Sequence, residues 1–186
     1  MDAMERRVFL KGAGLGVFAF TVGGASVLMT PGEARAKGVP FRLLNANEAE
    51  TIEALGETLV PGAREAGVAH FIDQQVSVPP GEALLEARQL YVKPPYVNFY
   101  RAVIGAVDKA SIARAGRPFA AIFPSEQHDF VGEMRQNKIV GWQGPPGSFA
   151  YVVLRSDALD VVYGTMEGYE SLGVPYMPHI PPVERW

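Results

Sequence analysis

The sequence predicts an all-α protein, with about six helices in one small domain and a long irregular C-terminal arm rich in proline and aromatic residues. Apolar residues recur at spacings of three and four in several segments, and these segments start at capping residues and stop at glycine or proline. No alternation of apolar and polar residues is long enough to predict a strand. Helices are therefore expected over residues 46–60, 68–76, 82–91, 95–115, 126–137 and 148–162.

Capping residues and helix breakers set several of these boundaries. Asn45 and Glu48 have the spacing of a capping box at the start of the first helix. Pro95 suits the first turn of the longest helix, and Gly116 suits the position just after its end. Ser125 is the predicted cap of the fifth helix.

The C-terminal arm begins at about residue 165 and holds Pro175, Pro178, Pro181 and Pro182. Proline removes a backbone donor, so this segment is predicted to form neither helix nor central strand. Disordered tails are poor in aromatic residues, whereas this one is not. We therefore expect it to pack on its own domain or across another subunit.

The N-terminus has the features of an export signal, predicted to span residues 1–36. Two arginines precede an uncharged run that ends in a small-residue cleavage motif, Ala34-Arg35-Ala36. The motif resembles a twin-arginine signal, although Glu5 stands where Ser or Thr is usual. The signal residues are Arg6, Arg7, Phe9, Leu10 and Lys11.

The twin-arginine route carries folded proteins, so this chain is expected to fold, or to bind a folded partner, before export. The alternative is a retained N-terminal anchor. A bilayer span needs about 20 apolar residues, and the run here is marginal in length and rich in glycine. In the predicted domain organisation, the mature helical domain covers residues 37–186.

Composition excludes several classes of function. Residues 37–186 carry 13 basic and 17 acidic side chains, a formal net charge of −4. That balance provides no electrostatic footprint for nucleic acid. The chain has no cysteine, which excludes thiolate catalysis, iron–sulfur ligation and covalent haem attachment on this chain.

The remaining polar residues show no pattern that predicts a catalytic or metal site. His70, His128 and His179 lack the spacing of a helical zinc site. His70 and Asp73 are predicted to form a hydrogen-bonded pair at the surface or at an interface. The carboxylate pairs are predicted to lie on solvated helix faces; they are Glu48/Glu50, Glu82/Glu86 and Asp157/Asp160.

A proline-flanked aromatic loop at residues 142–147 is the best local candidate for a recognition surface. The alternative is a rigid corner between two helices with Trp142 buried. The full candidate partner interface combines this loop with aromatic residues of the arm: Trp142, Pro145, Pro146, Tyr169, Tyr176 and Trp186.

Several segments together resemble one family, the small subunit (subunit 3, or gamma subunit) of gluconate 2-dehydrogenase-type sugar and alcohol dehydrogenases. The most telling is the run Leu59-Val60-Pro61-Gly62-Ala63-Arg64-Glu65-Ala66-Gly67-Val68, with Phe71-Ile72-Asp73 after it. The others are Arg6-Arg7-Val8-Phe9-Leu10-Lys11, Trp142-Gln143-Gly144-Pro145-Pro146, Tyr163-Gly164 and Leu172-Gly173-Val174-Pro175-Tyr176.

The resemblance implies a division of labour between subunits. A large flavoprotein of the glucose–methanol–choline type would carry FAD, and a multihaem cytochrome c subunit would accept its electrons. The small subunit would bear no cofactor and no catalytic residue. It would bind the large subunit, aid its maturation and supply the signal read by the twin-arginine translocase. The complex would lie in the periplasm, at the outer face of the inner membrane.

Two alternatives remain at this point. The chain could be a free-standing periplasmic enzyme or small-ligand-binding protein with a pocket between its helices and the aromatic tail. It could also be a structural anchor that ties a complex to the membrane, which requires the apolar N-terminal run to survive.

Overall fold

The computed structural model describes residues 16–174, and these residues are mostly helical, as predicted. Two short strands come first, β1 (Phe18–Val22) and β2 (Ala25–Met29). The helices follow in chain order: α1 (Pro31–Ala36), α2 (Ala46–Leu59), α3 (Val68–Val76), α4 (Glu86–Gln89), α5 (Tyr96–Ala115), α6 (Pro124–Arg135), α7 (Gly147–Tyr163) and α8 (Met166–Ser171). A 3-10 turn, Phe119–Ala121, precedes α6.

Helix α2 lies at the centre of the fold and packs against α3, α5, α6, α7 and the 3-10 turn. Ile52 and Leu55 of this helix are almost completely buried. Its start is the predicted capping box: Asn45 Oδ1 accepts from Glu48 N–H at 2.9 Å, and the Glu48 carboxylate accepts from Asn45 N–H at 2.8 Å. The boundaries of α2 and α3 agree closely with the prediction.

The longest helix, α5, also runs as predicted and ends at Gly116, whose φ is +70°. One side of α5 is buried, including Tyr100, Val103 and Val107. Phe99 packs edge-on against Phe149 of α7, with ring centroids 5.8 Å apart. These apolar side chains of α5 therefore belong to the core.

The N-terminal hairpin shows that the prediction of no strand was wrong. Strands β1 and β2 pair antiparallel, with Val22 opposite Ala25 across a two-residue turn. Gly23 and Gly24 occupy that turn with φ of +57° and +84°. A two-residue hairpin turn of type I′ requires positive φ at both central residues, and Gly-Gly meets that requirement. The apolar run read as part of a signal thus contains a hairpin sequence.

Helix α1 was also missed, because its residues were assigned to the cleavage motif. Thr30 caps it: its hydroxyl accepts from Glu33 N–H at 3.1 Å, and the Glu33 carboxylate accepts from Thr30 N–H at 2.8 Å. Pro31 takes the first helical position, where it is favoured.

Two other helices differ from the prediction in their boundaries. The expected helix over residues 82–91 shortens to Glu86–Gln89, since the residues before it form turns after Pro79 and Pro80. Helix α6 begins at Pro124 rather than after a Ser125 cap, and the Glu126 carboxylate accepts from Phe123 N–H at 2.8 Å.

The arm was predicted to be non-helical, but its first part contains α8. Thr165 caps this helix by accepting from Gly168 N–H at 3.0 Å. The prolines of the arm come later in the sequence, so they do not oppose helix formation here. The proline-rich remainder of the arm lies outside the described residues.

Candidate functional site

The buried carboxylate of Asp157 on α7 is the most unusual polar group in the described part of the chain. Its side chain is fully buried. Oδ1 accepts from Glu86 N–H at 2.9 Å, and Oδ2 accepts from the Tyr100 hydroxyl at 2.5 Å. This one carboxylate therefore joins α7 to the start of α4 and to α5. The prediction that it lies on a solvated helix face is wrong.

Burial raises the pKa of Asp157 to about 7, against the lowering effect of its hydrogen bonds to Tyr100 and to Glu86 N–H. The nearby carboxylates of Asp160 and Glu86 add to the rise. Burial, together with the charge of Asp157, also raises the pKa of Tyr100. A raised carboxyl pKa suits a general acid. Here, however, both oxygens are engaged by the protein's own groups, which favours a structural role.

Two other acidic side chains hold backbone segments in the same way. Asp73 accepts from the N–H groups of Arg42, Leu43 and Leu44, at 2.8, 2.9 and 2.9 Å. It therefore fixes the segment that leads into α2. Asp108 accepts from Phe119 N–H at 3.0 Å and from the Thr51 hydroxyl at 3.0 Å.

His70 is buried, and neither of its ring nitrogens forms the expected hydrogen bond with Asp73. Its Nε2 lies 2.9 Å from the carbonyl oxygen of Val39, which makes Nε2–H the donor. Nδ1 has no hydrogen-bond partner, and the ring packs against Phe41 with centroids 4.5 Å apart. Burial lowers the pKa of His70, and the Val39 carbonyl and the charges of Glu53 and Asp73 oppose that effect.

The structure does not bring the other histidines together with His70. His128 is exposed on α6, and His179 lies outside the described residues. Within residues 16–174, no three side chains among His, Asp and Glu are grouped closely enough to hold a metal ion.

The predicted loop around Trp142 forms a braced corner between α6 and α7. The indole Nε1–H donates to the Pro145 carbonyl at 2.6 Å, and the half-buried ring packs on the core. A Cβ atom at Gly144 would lie 2.7 Å from the Cβ of Ala106, so the loop sits directly on α5. These contacts favour the rigid-corner alternative, although Pro146 remains exposed.

The rest of the predicted interface is only partly described. Tyr169 lies in α8 and is half-buried, whereas Tyr176 and Trp186 lie outside the described residues. So do the signal residues Arg6, Arg7, Phe9, Leu10 and Lys11. Of the predicted cleavage residues, Ala34 is completely buried in α1 and Ala36 is exposed at its end.

The connection between α3 and α5 exposes apolar side chains that were not part of the predicted interface. Tyr91 is 93% exposed, and Leu84 and Leu90 lie near it in sequence with 42% and 36% exposure. The φ of Tyr91 is +59°, a left-handed conformation that costs a non-glycine residue roughly 1–2 kcal/mol. Backbone strain of this kind is enriched at functional sites.

Two concavities bear on the small-ligand alternative. One, of about 180 Å³, lies between Phe18 of β1 and Asp160 of α7, and it is smaller than the roughly 300–1,000 Å³ usual for ligand sites. The other, of about 400 Å³, lies between α5 and α6. Its charged side chains, Arg114 and Glu133, pair with each other at 3.0 Å.

The fold and these contacts define a small helical domain whose acidic side chains connect its segments. The family model for gluconate 2-dehydrogenase subunit 3 matches residues 46–181, and the chain belongs to this family. The family is that of a small subunit of a dehydrogenase complex. Neither curated proteins nor solved structures gave a match. In the described residues, no helix is both long and apolar enough to span a membrane.

Proposed function

We propose that this chain is the non-catalytic small subunit of a flavin-dependent dehydrogenase complex that oxidises sugars, sugar acids or alcohols. The observation that carries the proposal is the match to the subunit 3 family over residues 46–181. The use of Asp73, Asp108 and Asp157 as structural acceptors supports a scaffold role.

The proposed partners follow from the resemblance to the small-subunit family. The large subunit is a flavoprotein of the glucose–methanol–choline type that carries FAD, and a multihaem cytochrome c subunit receives its electrons. In this proposal the small subunit itself binds neither group. It binds the large subunit and assists its maturation, and the complex works in the periplasm at the outer face of the inner membrane.

The proposed escort role depends on the N-terminal arginines. A large subunit without its own signal can leave the cytoplasm only if a folded partner supplies one. The motif from Arg6 to Lys11 is the expected address for the twin-arginine translocase.

The escort role is tested by changing the two arginines to lysine, Arg6→Lys with Arg7→Lys, in cells that express all subunits. We expect the large subunit to accumulate in the cytoplasm, and dehydrogenase activity in the periplasm to be lost. The matched control is Arg135→Lys with Arg155→Lys, the same two substitutions at exposed positions outside the motif. Normal export of the large subunit by the double variant would overturn the escort role.

A further inference from the structure

Residues 16–36, which the sequence assigns to a removable signal, are packed into the domain. Phe20 and Met29 of the hairpin, Ala34 of α1 and Val39 form a buried apolar cluster. Phe18 extends this cluster to the main core, because its ring packs edge-on against Phe71 of α3 with centroids 5.6 Å apart. The hairpin and α1 thus cover one side of α3.

The contact between α1 and the loop before α3 is a direct approach of two backbones. A Cβ atom at Gly67 would lie 2.2 Å from the carbonyl oxygen of Pro31 and 2.7 Å from Gly32 N. From the other side, a Cβ atom at Gly32 would lie 3.1 Å from the carbonyl oxygen of Glu65. A side chain at Gly67 would clash with α1, and one at Gly32 would be crowded, so the two segments fit each other closely.

A shared carboxylate adds a polar link at the same place. Glu53 of α2 binds Arg35 of α1 through Oε1 at 3.0 Å and Arg64 through Oε2 at 3.2 Å. The Glu53 side chain is only 13% exposed, so the pair is less screened by solvent than a surface ion pair. Helix α1 is therefore held by apolar packing, backbone fit and charge together.

Ala36 is exposed at the end of α1, but this packing opposes cleavage after it in the folded chain, because the cleavage motif also requires Ala34. A peptidase needs an accessible, locally unfolded segment, and such sites are found mainly at exposed loops and frayed ends. Ala34, the other small residue of the motif, is completely buried and lies within a capped helix. A protein exported in the folded state would present this helix, not an extended cleavage site.

We propose that residues 16–36 are retained in the mature subunit as a structural strap that completes the domain. The strap is defined here as β1, β2 and α1 with their connections. The strap lies before residue 46, where the family match starts. Its retention does not depend on which partner subunits the chain binds.

The first test is the intact mass of the chain purified from the cell envelope. We expect an N-terminus at or before Gly16, so that the mass includes the whole strap. A chain that starts after Gly16, and in particular one that starts at Lys37, would overturn the proposal. The mass of the chain tests the retention of the strap whether or not a flavoprotein co-purifies with it.

The second test compares two glycine variants of the full chain. Gly67 and Gly62 both have left-handed backbones, with φ of +83° and +90°, but a Cβ atom at Gly62 meets nothing within 4 Å. Both Gly67→Ala and Gly62→Ala therefore strain the backbone, but only Gly67→Ala also introduces a clash with Pro31.

The readout is the rate of tryptic cleavage after Arg35, followed by mass spectrometry. We expect Gly67→Ala to raise this rate about tenfold or more over Gly62→Ala, because cleavage follows the population of the opened segment. Equal rates in the two variants, or rapid cleavage after Arg35 in the unaltered chain, would overturn the proposal.

Discussion

The hydroxyl of Tyr100 on α5 donates a hydrogen bond of 2.5 Å to Oδ2 of Asp157 on α7, and both side chains are buried. The other carboxylate oxygen holds Glu86 N–H at the start of α4. Three helices therefore depend on one acidic group, whose protonation state should affect the stability of the domain.

The first prediction concerns the pH dependence that Asp157 causes. Burial raises its pKa from 3.8 to about 7 in the folded protein, so the folded chain keeps this proton over a range in which the unfolded chain has lost it. This contribution to stability is complete below about pH 4 and falls as the pH rises towards 7. The loss is on the order of 4 kcal/mol.

Asp157→Asn removes this titration, and Asp129→Asn on the exposed part of α6 is the control. Urea unfolding at several pH values should show a smaller decline between pH 4 and pH 7 in Asp157→Asn than in the control. The same slope in both variants would contradict the assignment.

The second prediction concerns His70, whose effect has the opposite sign. Its pKa is lowered mainly by burial. Below the usual pKa of histidine, the unfolded chain therefore binds a proton at this residue more readily than the folded chain does. Stability from this group is present above about pH 6.5 and falls as the pH drops below that value. The two effects partly cancel in the unaltered protein.

The Asp157→Asn background therefore reveals the His70 contribution. Adding His70→Gln should reduce the remaining loss of stability below pH 6.5, whereas adding His128→Gln, at an exposed position, should leave it unchanged. The same acid dependence with and without His70 would show that another group causes it.

The third prediction tests the anchoring of the segment before α2. Asp73→Ala would leave the backbone N–H groups of Arg42, Leu43 and Leu44 without their acceptor. Each lost bond to a charged group costs roughly 1.5–3 kcal/mol, and partial rehydration of this half-buried segment reduces the total. We expect a loss of about 3 kcal/mol in urea unfolding.

Asp73→Asn keeps an acceptor oxygen and should cost less than Asp73→Ala. Asp129→Ala, which removes an exposed carboxylate, should change stability by at most about 0.5 kcal/mol. Similar losses for Asp73→Ala and Asp129→Ala would contradict the anchoring role.

The fourth prediction is that the exposed ring of Tyr91 contacts the large subunit, because it is the most exposed ring of the strained connection between α3 and α5. Tyr91→Ser should lower recovery of the flavoprotein with the tagged chain, while the melting temperature of the isolated chain stays the same, because the ring is 93% exposed. Tyr91→Phe keeps the ring and should keep the recovery. Equal recovery with Tyr91→Ser would place Tyr91 outside the interface.

The helices could be predicted where local signals and tertiary packing agree. The capping box at Asn45 and the C-terminal glycine at Gly116 depend on residues close in sequence, and both boundaries were confirmed. The hairpin was missed because its apolar residues were assigned to an export signal. The pattern that predicts a hairpin, Gly23-Gly24 between two apolar segments, was present in the sequence.

The role of Asp157 could have been suspected from its position in α7. It follows Ala150, Val153 and Leu154 at helical spacing, so it belongs to the buried stripe of the helix. Its partners could not be predicted, because Glu86 and Tyr100 lie 71 and 57 residues away in sequence. Contacts of this range depend on how the helices pack, which local patterns do not determine.

The central claim, that this chain is a subunit of a flavin dehydrogenase complex, is tested most directly by native purification of the tagged full-length chain from the cell envelope. The measurement is mass spectrometry of the purified sample together with its visible absorption spectrum. The account predicts a co-purified large subunit with a flavin spectrum, accompanied by the haem bands of a cytochrome c. A colourless chain that purifies alone from cells expressing all subunits would contradict it.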